Sequence, residues 1–348
     1  MAENSAAEDG GPPAQVADAG AGGRAAVRIG MIVGPTGAGK TAFSIDLAER
    51  LGAEIVNADS RQLYRGMDLG TAKPDAADRA RVPHHLIDVR DPDDPIDVAG
   101  FAALADSAIA EIAARGRPVL VVGGSGLYLR VLRGGLFAGP PAAPEYRAEL
   151  GALAAARGAA YLHDRLKEAD AEAARRIAVN DVARIVRALE VFAVSGITIS
   201  EHHRRHRGAA TAGGYEHLAI GLTLERARLY ARIDRRFDAM IAAGLVAEVR
   251  GLRAAGARPG GVILQTIGYR EIGDYLAGKC DLPAAIAIAK RESRRLAKRQ
   301  LTWFRRETGV VWLDPASGGA EALARLREFF GAAHSAGARC APGGGPGE

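Results

Sequence analysis

Short apolar runs bounded by turn-forming residues alternate along the chain with longer stretches of helical periodicity. Six of these runs have the length of buried strands, at residues 27–33, 54–57, 85–88, 119–122, 218–222 and 310–313. A helical stretch follows the first run, from Ala42 to Leu51. This alternation is typical of a parallel sheet wrapped by helices, so the predicted fold class is α/β.

The interval between the fourth and fifth predicted strands has a different character. Residues 145 to about 203 read as Ala-rich helices without a strand. We interpret residues 140–207 as a helical insertion, entered through the Pro-rich turn at Gly139 and left through a Gly-rich loop at 208–214. The core would then comprise residues 25–139 and 208–333. The Ala, Gly and Pro-rich ends, 1–24 and 334–348, are predicted to be disordered.

The turn after the first strand contains a complete G-x-x-x-x-G-K-[ST] motif, which predicts a phosphate-binding loop of the P-loop NTPase type. Its glycines permit a tight turn with inward-facing amides, and the following helix adds its positive dipole end. A plain Gly-rich turn would need neither a lysine charge nor a hydroxyl able to bind Mg²⁺ at the end of the motif. The motif consists of Gly34, Pro35, Thr36, Gly37, Ala38, Gly39, Lys40 and Thr41.

Three further positions are candidates for chemistry in the same cleft, because ligands of open α/β sheets bind outside the carboxyl ends of strands. Asp59 follows the second strand and is the leading candidate for a base, with a helix cap as the alternative. Ser125 lies in a glycine turn after the fourth strand. Arg232 and Arg236, four residues apart on a helix, could clamp a phosphate or form surface salt bridges.

Composition and charge narrow the class of protein. Of 348 residues 48% are hydrophobic and 25% charged, which is ordinary for a globular protein. The two cysteines, Cys280 and Cys340, are too far apart in sequence for a zinc motif or a disulfide framework. The N-terminal stretch lacks the apolar segment of a signal peptide or anchor. We therefore expect a cytoplasmic protein with no membrane association.

A run of basic residues between 286 and 306 predicts a polyanion-binding helix face. The run contains one acid, Glu292, whereas a solvated helix face normally interleaves more acids. The formal net charge of +5 and a pI near 9.3 agree with a polyanionic partner. Trp303 and Phe304 are expected to anchor the helix in the core. The basic residues are Lys290, Arg291, Arg294, Arg295, Lys298, Arg299, Arg305 and Arg306.

From the residues alone, the chain is a magnesium-dependent enzyme of phosphates or diphosphates with an acid in the cleft. A small-molecule kinase remains open, and nothing in the spacing identifies the group transferred. The histidines at positions 84, 85, 202, 203 and 206 lack the carboxylate or cysteine neighbours of a metal site. They are interpreted as structural or phosphate-contacting residues.

Taken together, the motifs closely resemble those of the bacterial tRNA dimethylallyltransferases. The resemblance spans residues 27 to 315 in order. It includes the loop at 34–41, NADSRQLY at 57–64, GMDLGTAKP at 66–74, PHHLID at 83–88, VVGGSGLY at 121–128, RIVRALEV at 184–191, GYR at 268–270 and KRQLTW at 298–303. It implies transfer of a dimethylallyl group from dimethylallyl diphosphate to N6 of the adenosine at tRNA position 37, by a monomeric enzyme that binds the anticodon stem-loop.

The resemblance also implies roles for particular residues. Lys40, Mg²⁺ at Thr41 and Arg236 would stabilise the leaving diphosphate, and Asp59 would be the general base. The family usually has Gly-Gly-Thr where this chain has Gly-Gly-Ser, so the hydroxyl of Ser125 is kept. The implied tRNA contacts are Asp59, Ser60, Arg61, Gln62, Ser125, Arg147, Ala183, Arg184, Ile185, Val186, Arg187, Gln265, Thr266, Ile267, Gly268, Tyr269, Arg270, Arg294, Lys298 and Arg299.

Three alternatives compete with this interpretation. An adenylate isopentenyltransferase shares the loop and the base but modifies a free nucleotide, and needs neither the insertion nor the basic helix. A nucleotide kinase would use Lys40 for ATP and Asp59 to activate a hydroxyl. A non-catalytic RNA-binding module would not need the intact Gly39-Lys40-Thr41 sequence.

Overall fold

The computed structural model describes residues 27–134, 139–209, 214–256 and 261–337. Within them, six parallel strands form one sheet in the order β3-β2-β4-β1-β5-β6. The prediction of an α/β parallel sheet is thereby confirmed. The strands are β1 (Arg28–Val33), β2 (Glu54–Asn57), β3 (His84–His85), β4 (Val119–Gly123), β5 (Glu216–Leu222) and β6 (Val310–Leu313).

The central strands are apolar throughout because helices cover both faces of the sheet. Successive residues of one strand enter opposite layers: Met31 belongs to one buried cluster and Ile32 to the other. Val121 and Leu120 on the neighbouring strand divide in the same way. This double burial explains why the strands read as continuous apolar runs in the sequence.

Helices α1 to α4 belong to the first half of the core: α1 (Lys40–Leu51), α2 (Ala76–Arg81), α3 (Val98–Ala114) and α4 (Gly126–Gly134). Helix α1 begins two residues before the predicted start at Ala42, directly behind Gly39. The second half contains α10 (Arg226–Ala242), α11 (Leu245–Ala254), α12 (Val262–Gln265), α13 (Tyr269–Leu276), α14 (Leu282–Phe304) and α15 (Gly319–Gly337).

Between β4 and β5 the described residues after α4 form helices, as the Ala-rich composition predicts. They are α5 (Pro144–Arg157), α6 (Ala159–Ala169), α7 (Ala171–Arg176), α8 (Val182–Ser195) and α9 (Ile199–Ala209). These helices bury a core of their own around Leu150, Leu162, Leu166 and Ile185. A separate core is what an independent domain requires, but the boundaries 140 and 207 stay predictions.

The fold differs from the expected one at two places. Strand β3 comprises His84 and His85 and not 85–88, because Leu86 and Asp88 have positive φ angles of 60° and 57° that bend the chain away. Helix α15 continues to Gly337 and takes in the first residues assigned to the C-terminal tail.

The N-terminal tail predicted at 1–24, and residues 338–348 of the C-terminal tail, lie outside the described residues. Within the part of the chain that is described, no helix has both the length and the apolar character needed to cross a membrane. Phe304 is buried as predicted, with 2% of its surface exposed, and Trp303 packs against the same core.

Candidate active site

A cleft of about 940 Å³ lies at the carboxyl ends of the central strands. The turns after β1, β2 and β4 form its floor and contribute Lys40, Asp59 and Ser125. Helices α10 and α14 form the opposite wall with Arg236, Arg299 and other residues. The parallel sheet thus brings together candidates that are far apart in the sequence, as expected for an open α/β fold.

The phosphate-binding loop has the backbone geometry for which its glycines were singled out. Gly34 has a φ of 144°, and a Cβ atom there would lie 2.7 Å from the carbonyl oxygen of Leu222 on the neighbouring strand. Gly39 has a left-handed conformation directly before α1. Only glycine adopts both conformations without strain. The loop therefore presents its amides and the N-terminus of a 12-residue helix to the cleft.

Lys40 folds over the loop that precedes it. Its Nζ donates hydrogen bonds to the carbonyl oxygens of Gly34 and Pro35, both at 3.0 Å. Desolvation lowers the pKa of Lys40 to about 8, and the charge of Arg236 acts in the same direction, whereas Asp59 opposes it. An anion placed in the cleft would restore the proton affinity of this amine.

Arg236 reaches the loop from helix α10. Its Nη2 donates to Oγ1 of Thr36 at 2.5 Å. Desolvation lowers its pKa, the Asp59 charge opposes the shift, and the Arg232 charge adds to it. Two cations and one carboxylate thus act on one another in the same cleft. The guanidinium clamp stays a prediction, and the structure places the Arg236 side chain against the phosphate loop from helix α10.

Asp59 ends the turn after β2. Its Oδ1 accepts a hydrogen bond from the amide of Arg61 at 2.9 Å, and its own amide donates to Oδ1 of Asn57 at 3.2 Å. It therefore caps a turn and not a helix start. Among the described residues no hydrogen bond engages its second carboxylate oxygen, which leaves that oxygen for a ligand in the cleft.

Ser125 connects the turns that follow β2 and β4. Its Oγ accepts a hydrogen bond from the amide of Ser60 at 3.0 Å, which keeps the hydroxyl proton available for donation. Gln62 stabilises another wall of the cleft, because its Nε2 donates hydrogen bonds to the carbonyl oxygens of Thr71 and Ala72, both at 3.1 Å. Ser60, Arg61 and Gln62 all line the cleft, as predicted.

Lys73 supports that same wall, although its role could not be derived from the sequence. The side chain is 1% exposed, and its Nζ donates to the carbonyl oxygen of Tyr64 at 2.9 Å. It also forms ion pairs of 2.5 Å with Asp68 and Asp88. The positive φ at Asp88 orients its carboxylate toward this pair and toward Arg79.

The remaining predicted tRNA contacts divide between the cleft and other surfaces. Gln265, Thr266, Ile267, Arg270 and Arg299 line the cleft. Tyr269 does not: it is fully buried, and its hydroxyl donates to Glu248 at 2.5 Å, so its side chain is a core residue in this conformation. The amide of Gly268 donates to Glu271. Arg294 holds Asp234 through both carboxylate oxygens at 2.7 Å, and Lys298 lies on the outer face of α14.

The predicted contacts on the insertion do not line the cleft. Arg147 and Arg187 both bind the carboxylate of Glu190, which is fully buried. Desolvation of Glu190 is outweighed by these hydrogen bonds, and its pKa falls to about 2. Ile185 lies in the insertion core and Val186 packs against it, so neither side chain is free for an RNA. Ala183 and Arg184 are exposed.

The contacts of Gln300, at the centre of the site, could not be derived from the sequence. Its Oε1 accepts from the Thr36 amide at 2.8 Å, and its Nε2 donates to the carbonyl oxygen of Gly124 at 3.0 Å. The side chain thus connects the phosphate loop to the turn that holds Ser125. Its partners are 264 and 176 residues away in the sequence, so no local pattern could indicate this role.

The donor set of the cleft suits a magnesium ion held mainly by phosphate oxygens. Among the described residues no group of three or more His, Cys, Asp or Glu side chains could hold a metal by itself. Thr41 and Asp59 both line the cleft and supply hard oxygen donors. Mg²⁺ is commonly bound in this way, by one or two protein oxygens together with water and substrate phosphates.

The sheet, the loop and the paired cations define a P-loop α/β protein that binds a phosphorylated ligand next to a basic helix. Residues 62–307 match the family model described as IPP transferase. A tRNA dimethylallyltransferase of Geobacter metallireducens is 48% identical over 82% of this chain and 92% of its own length. That of Anaeromyxobacter dehalogenans is 49% identical over 87% of this chain and 99% of its length. The chain belongs to the IPP transferase family.

Solved structures agree with this assignment. The tRNA isopentenylpyrophosphate transferase of Bacillus halodurans is 40% identical, with a TM-score of 0.66 over 90% of this chain and 99% of its own. A eukaryotic dimethylallyltransferase acting on tRNA is 24% identical, with a TM-score of 0.72 over 86% of this chain and 78% of its own, and supports the fold.

Proposed function

We propose that the protein is a tRNA dimethylallyltransferase that transfers the dimethylallyl group of dimethylallyl diphosphate to N6 of adenosine 37. The observation that carries the proposal is the arrangement of Lys40 and Arg236 on the phosphate loop, with Asp59 acting on both within one cleft. The names of the related proteins support the same activity.

The leaving group is the diphosphate, seated on the phosphate loop. When the carbon–oxygen bond of the donor breaks, negative charge accumulates on the bridging oxygen and its phosphate. Lys40, Arg236 and the N-terminus of α1 place positive charge there before the reaction begins, in a partly desolvated site where it is most effective. Mg²⁺ at Thr41 would supply further neutralisation of the diphosphate when bound.

The nucleophile is the exocyclic amine of adenine, whose lone pair is delocalised into the ring. As the new carbon–nitrogen bond forms, positive charge develops on N6 and one of its protons must leave. Asp59 has a carboxylate oxygen to which no described residue donates a hydrogen bond, and it accepts that proton as a general base. The products are N6-dimethylallyladenosine and diphosphate.

The acceptor is a base of a tRNA anticodon loop, which is flipped out of its stack to enter the cleft. A shallow groove next to Trp303 is lined by exposed basic residues of α14 and of the turn that follows it: Arg295, Lys298, Arg299 and Arg306. Such a surface matches the phosphates of an RNA, which is recognised by its shape and backbone. The insertion helices would contact the anticodon stem from the other side. A monomeric state and action in the cytoplasm stay predictions.

The basic groove discriminates between this proposal and its closest alternative. An adenylate isopentenyltransferase needs a small acceptor pocket only, whereas Lys298 and Arg306 lie on the groove and do not line the cleft. The experiment supplies purified protein with Mg²⁺ and labelled dimethylallyl diphosphate, and offers either an unmodified tRNA with adenosine at position 37 or AMP. Lys40→Met serves as the inactive control because it removes the loop cation and keeps a similar side-chain length.

We expect label in the tRNA, none in AMP, and strongly reduced transfer by Lys40→Met. Labelled AMP with unlabelled tRNA would assign the protein to the adenylate isopentenyltransferases. In a parallel reaction to which ATP is added, consumption of ATP without prenyl transfer would assign it to the kinases.

A further inference from the structure

We infer that Gln300 is a positioning residue that fixes the position of the donor site relative to the acceptor site. The inference rests on the proposed function, because it concerns the distance between the diphosphate seat and the base-binding turn. Its carboxamide spans these two parts of the cleft. It does so with one acceptor and one donor, each matched to a backbone group.

The first end of the bridge fixes the phosphate loop at Thr36. The amide of Thr36 donates a hydrogen bond to Gln300, and the hydroxyl of Thr36 accepts one from the guanidinium of Arg236. This residue is thus held from α14 through its backbone and from α10 through its side chain. Loss of the Gln300 bond would leave Thr36 its contact with Arg236, but would release an amide that no other described group binds.

The second end fixes the turn after β4. Gln300 Nε2 donates a hydrogen bond to the carbonyl oxygen of Gly124, the residue before Ser125. The hydroxyl of Ser125 in turn accepts a hydrogen bond from the amide of Ser60. Ser60 is the neighbour of Asp59. From the diphosphate loop to the proposed base, the connection therefore consists of three hydrogen bonds and the covalent links Gly124–Ser125 and Asp59–Ser60. Both the leaving oxygen and the accepting carboxylate depend on it for their separation.

Two glycines show that this close approach is built into the turn. A Cβ atom on Gly124 would lie 2.5 Å from Nε2 of Gln300, and one on Gly126 would lie 2.3 Å from Nε1 of Trp303. Gln300 and Trp303 are three residues apart, so they lie on the same face of α14. Helix α14 is therefore seated against the bare backbone of this turn, and the glycines are required by that contact.

The orientation of α14 gives the bridge its functional meaning. Lys298 lies two residues before Gln300 and points into the outer basic groove, while Gln300 lines the cleft. One helix thus carries both the proposed RNA-binding face and the side chain that positions the reaction centre. Misplacement by about 1 Å can reduce a rate by about a hundredfold, so we expect Gln300 to act mainly on the chemical step.

The test uses the full-length protein and three variants. Gln300→Met keeps the length and removes both hydrogen bonds, and Gln300→Asn keeps the carboxamide but is one methylene too short to span the gap. Gly124→Ala leaves Gln300 intact and displaces its Nε2 from the other side. Lys298→Met is the matched control on the outer face of the same helix.

We expect Gln300→Met, Gln300→Asn and Gly124→Ala to lower kcat for prenyl transfer by about 10- to 100-fold. In calorimetry they should weaken the binding of inorganic diphosphate several-fold and leave the Kd for tRNA nearly unchanged. Lys298→Met should have the opposite effect: the affinity for tRNA should fall and the affinity for diphosphate should stay unchanged. The double variant Gly124→Ala, Gln300→Met should lose no more than either single variant, because all three disrupt one contact.

Wild-type kinetics in the Gln300 and Gly124 variants would overturn the inference. So would a loss confined to tRNA affinity, since that would make Gln300 an RNA contact. Binding of inorganic diphosphate judges the bridge separately from the reaction. If the wild type binds diphosphate but prenylates no tRNA, the proposed function fails while a diphosphate defect in the variants still supports the positioning role.

Discussion

Replacement of Asp59 by Asn separates the chemical role of this residue from its structural one. The Asn Oδ1 can still accept the hydrogen bond from the Arg61 amide, which spans 2.9 Å in the native turn. The volume is almost unchanged, so the turn after β2 should persist. What disappears is the ability to accept a proton from N6 and the negative charge that acts on Lys40 and Arg236.

The expected sizes of these two losses are very different. Loss of a general base lowers kcat by about 10²- to 10⁴-fold, equivalent to about 3–5 kcal/mol. The Asp59 charge raises the pKa of Lys40, which is about 8, so its removal lowers that pKa further. Even a decrease of one full unit would leave about half of the lysines protonated at pH 7, which costs about twofold in diphosphate affinity.

The assay therefore measures kcat in single turnover and the two binding constants separately. We expect Asp59→Asn to reduce the rate by at least two orders of magnitude while both Kd values stay within about threefold. Asp59→Glu keeps the base but shifts it by one methylene, and should recover part of the rate. A rate within tenfold of the wild type would refute the assignment of Asp59 as the base, and a collapse of tRNA affinity would make it an RNA contact or a structural cap.

Three further predictions concern charge. Affinity for dimethylallyl diphosphate should fall as the pH rises through about 8, where Lys40 loses its proton in the free protein, and Lys40→Arg should flatten this dependence in calorimetry. Replacing Lys298 or Arg299 by Met should reduce the slope of log Kd for tRNA against log salt by about 1 per phosphate contact; unchanged slopes would place the RNA elsewhere. Glu190→Gln should destabilise the protein by about 3 kcal/mol in urea unfolding above pH 5, because the buried carboxylate no longer pairs with Arg147, and equal stability would contradict this. With the pKa of Glu190 lowered to about 2, this stabilisation is present above its usual pKa and disappears as the pH falls toward 2.

The features that the sequence predicted well are those carried by local patterns. The phosphate loop combines a strand, a fixed glycine spacing and a helix start, and each is a short-range property. Asp59 could be placed in the cleft because the carboxyl ends of parallel strands share one edge, even though β4 separates its strand from β1. Arg236 was a candidate because of its spacing on the helix and because of the resemblance. Its hydrogen bond to Thr36 places it at the phosphate loop.

Other features depend on pairing across the fold and left no local signal. Lys73 and Gln300 are polar residues with ordinary neighbours, and only the folded chain brings them to their backbone acceptors. Tyr269 lies in a motif typical of an RNA contact, yet long-range packing against Glu248 buries it. The pairing of Arg147 and Arg187 with one buried acid, Glu190, likewise depends on the insertion core and could not be derived from the sequence.

The most direct test of the proposed reaction maps its products in a single turnover. Excess protein is mixed with Mg²⁺, labelled dimethylallyl diphosphate and a tRNA carrying adenosine at position 37, with the same tRNA carrying guanosine there as the control. The account predicts N6-dimethylallyladenosine at that position alone, with one diphosphate released for each base modified and no label in the control. Prenylation of another base, or release of diphosphate without a modified tRNA, would contradict it.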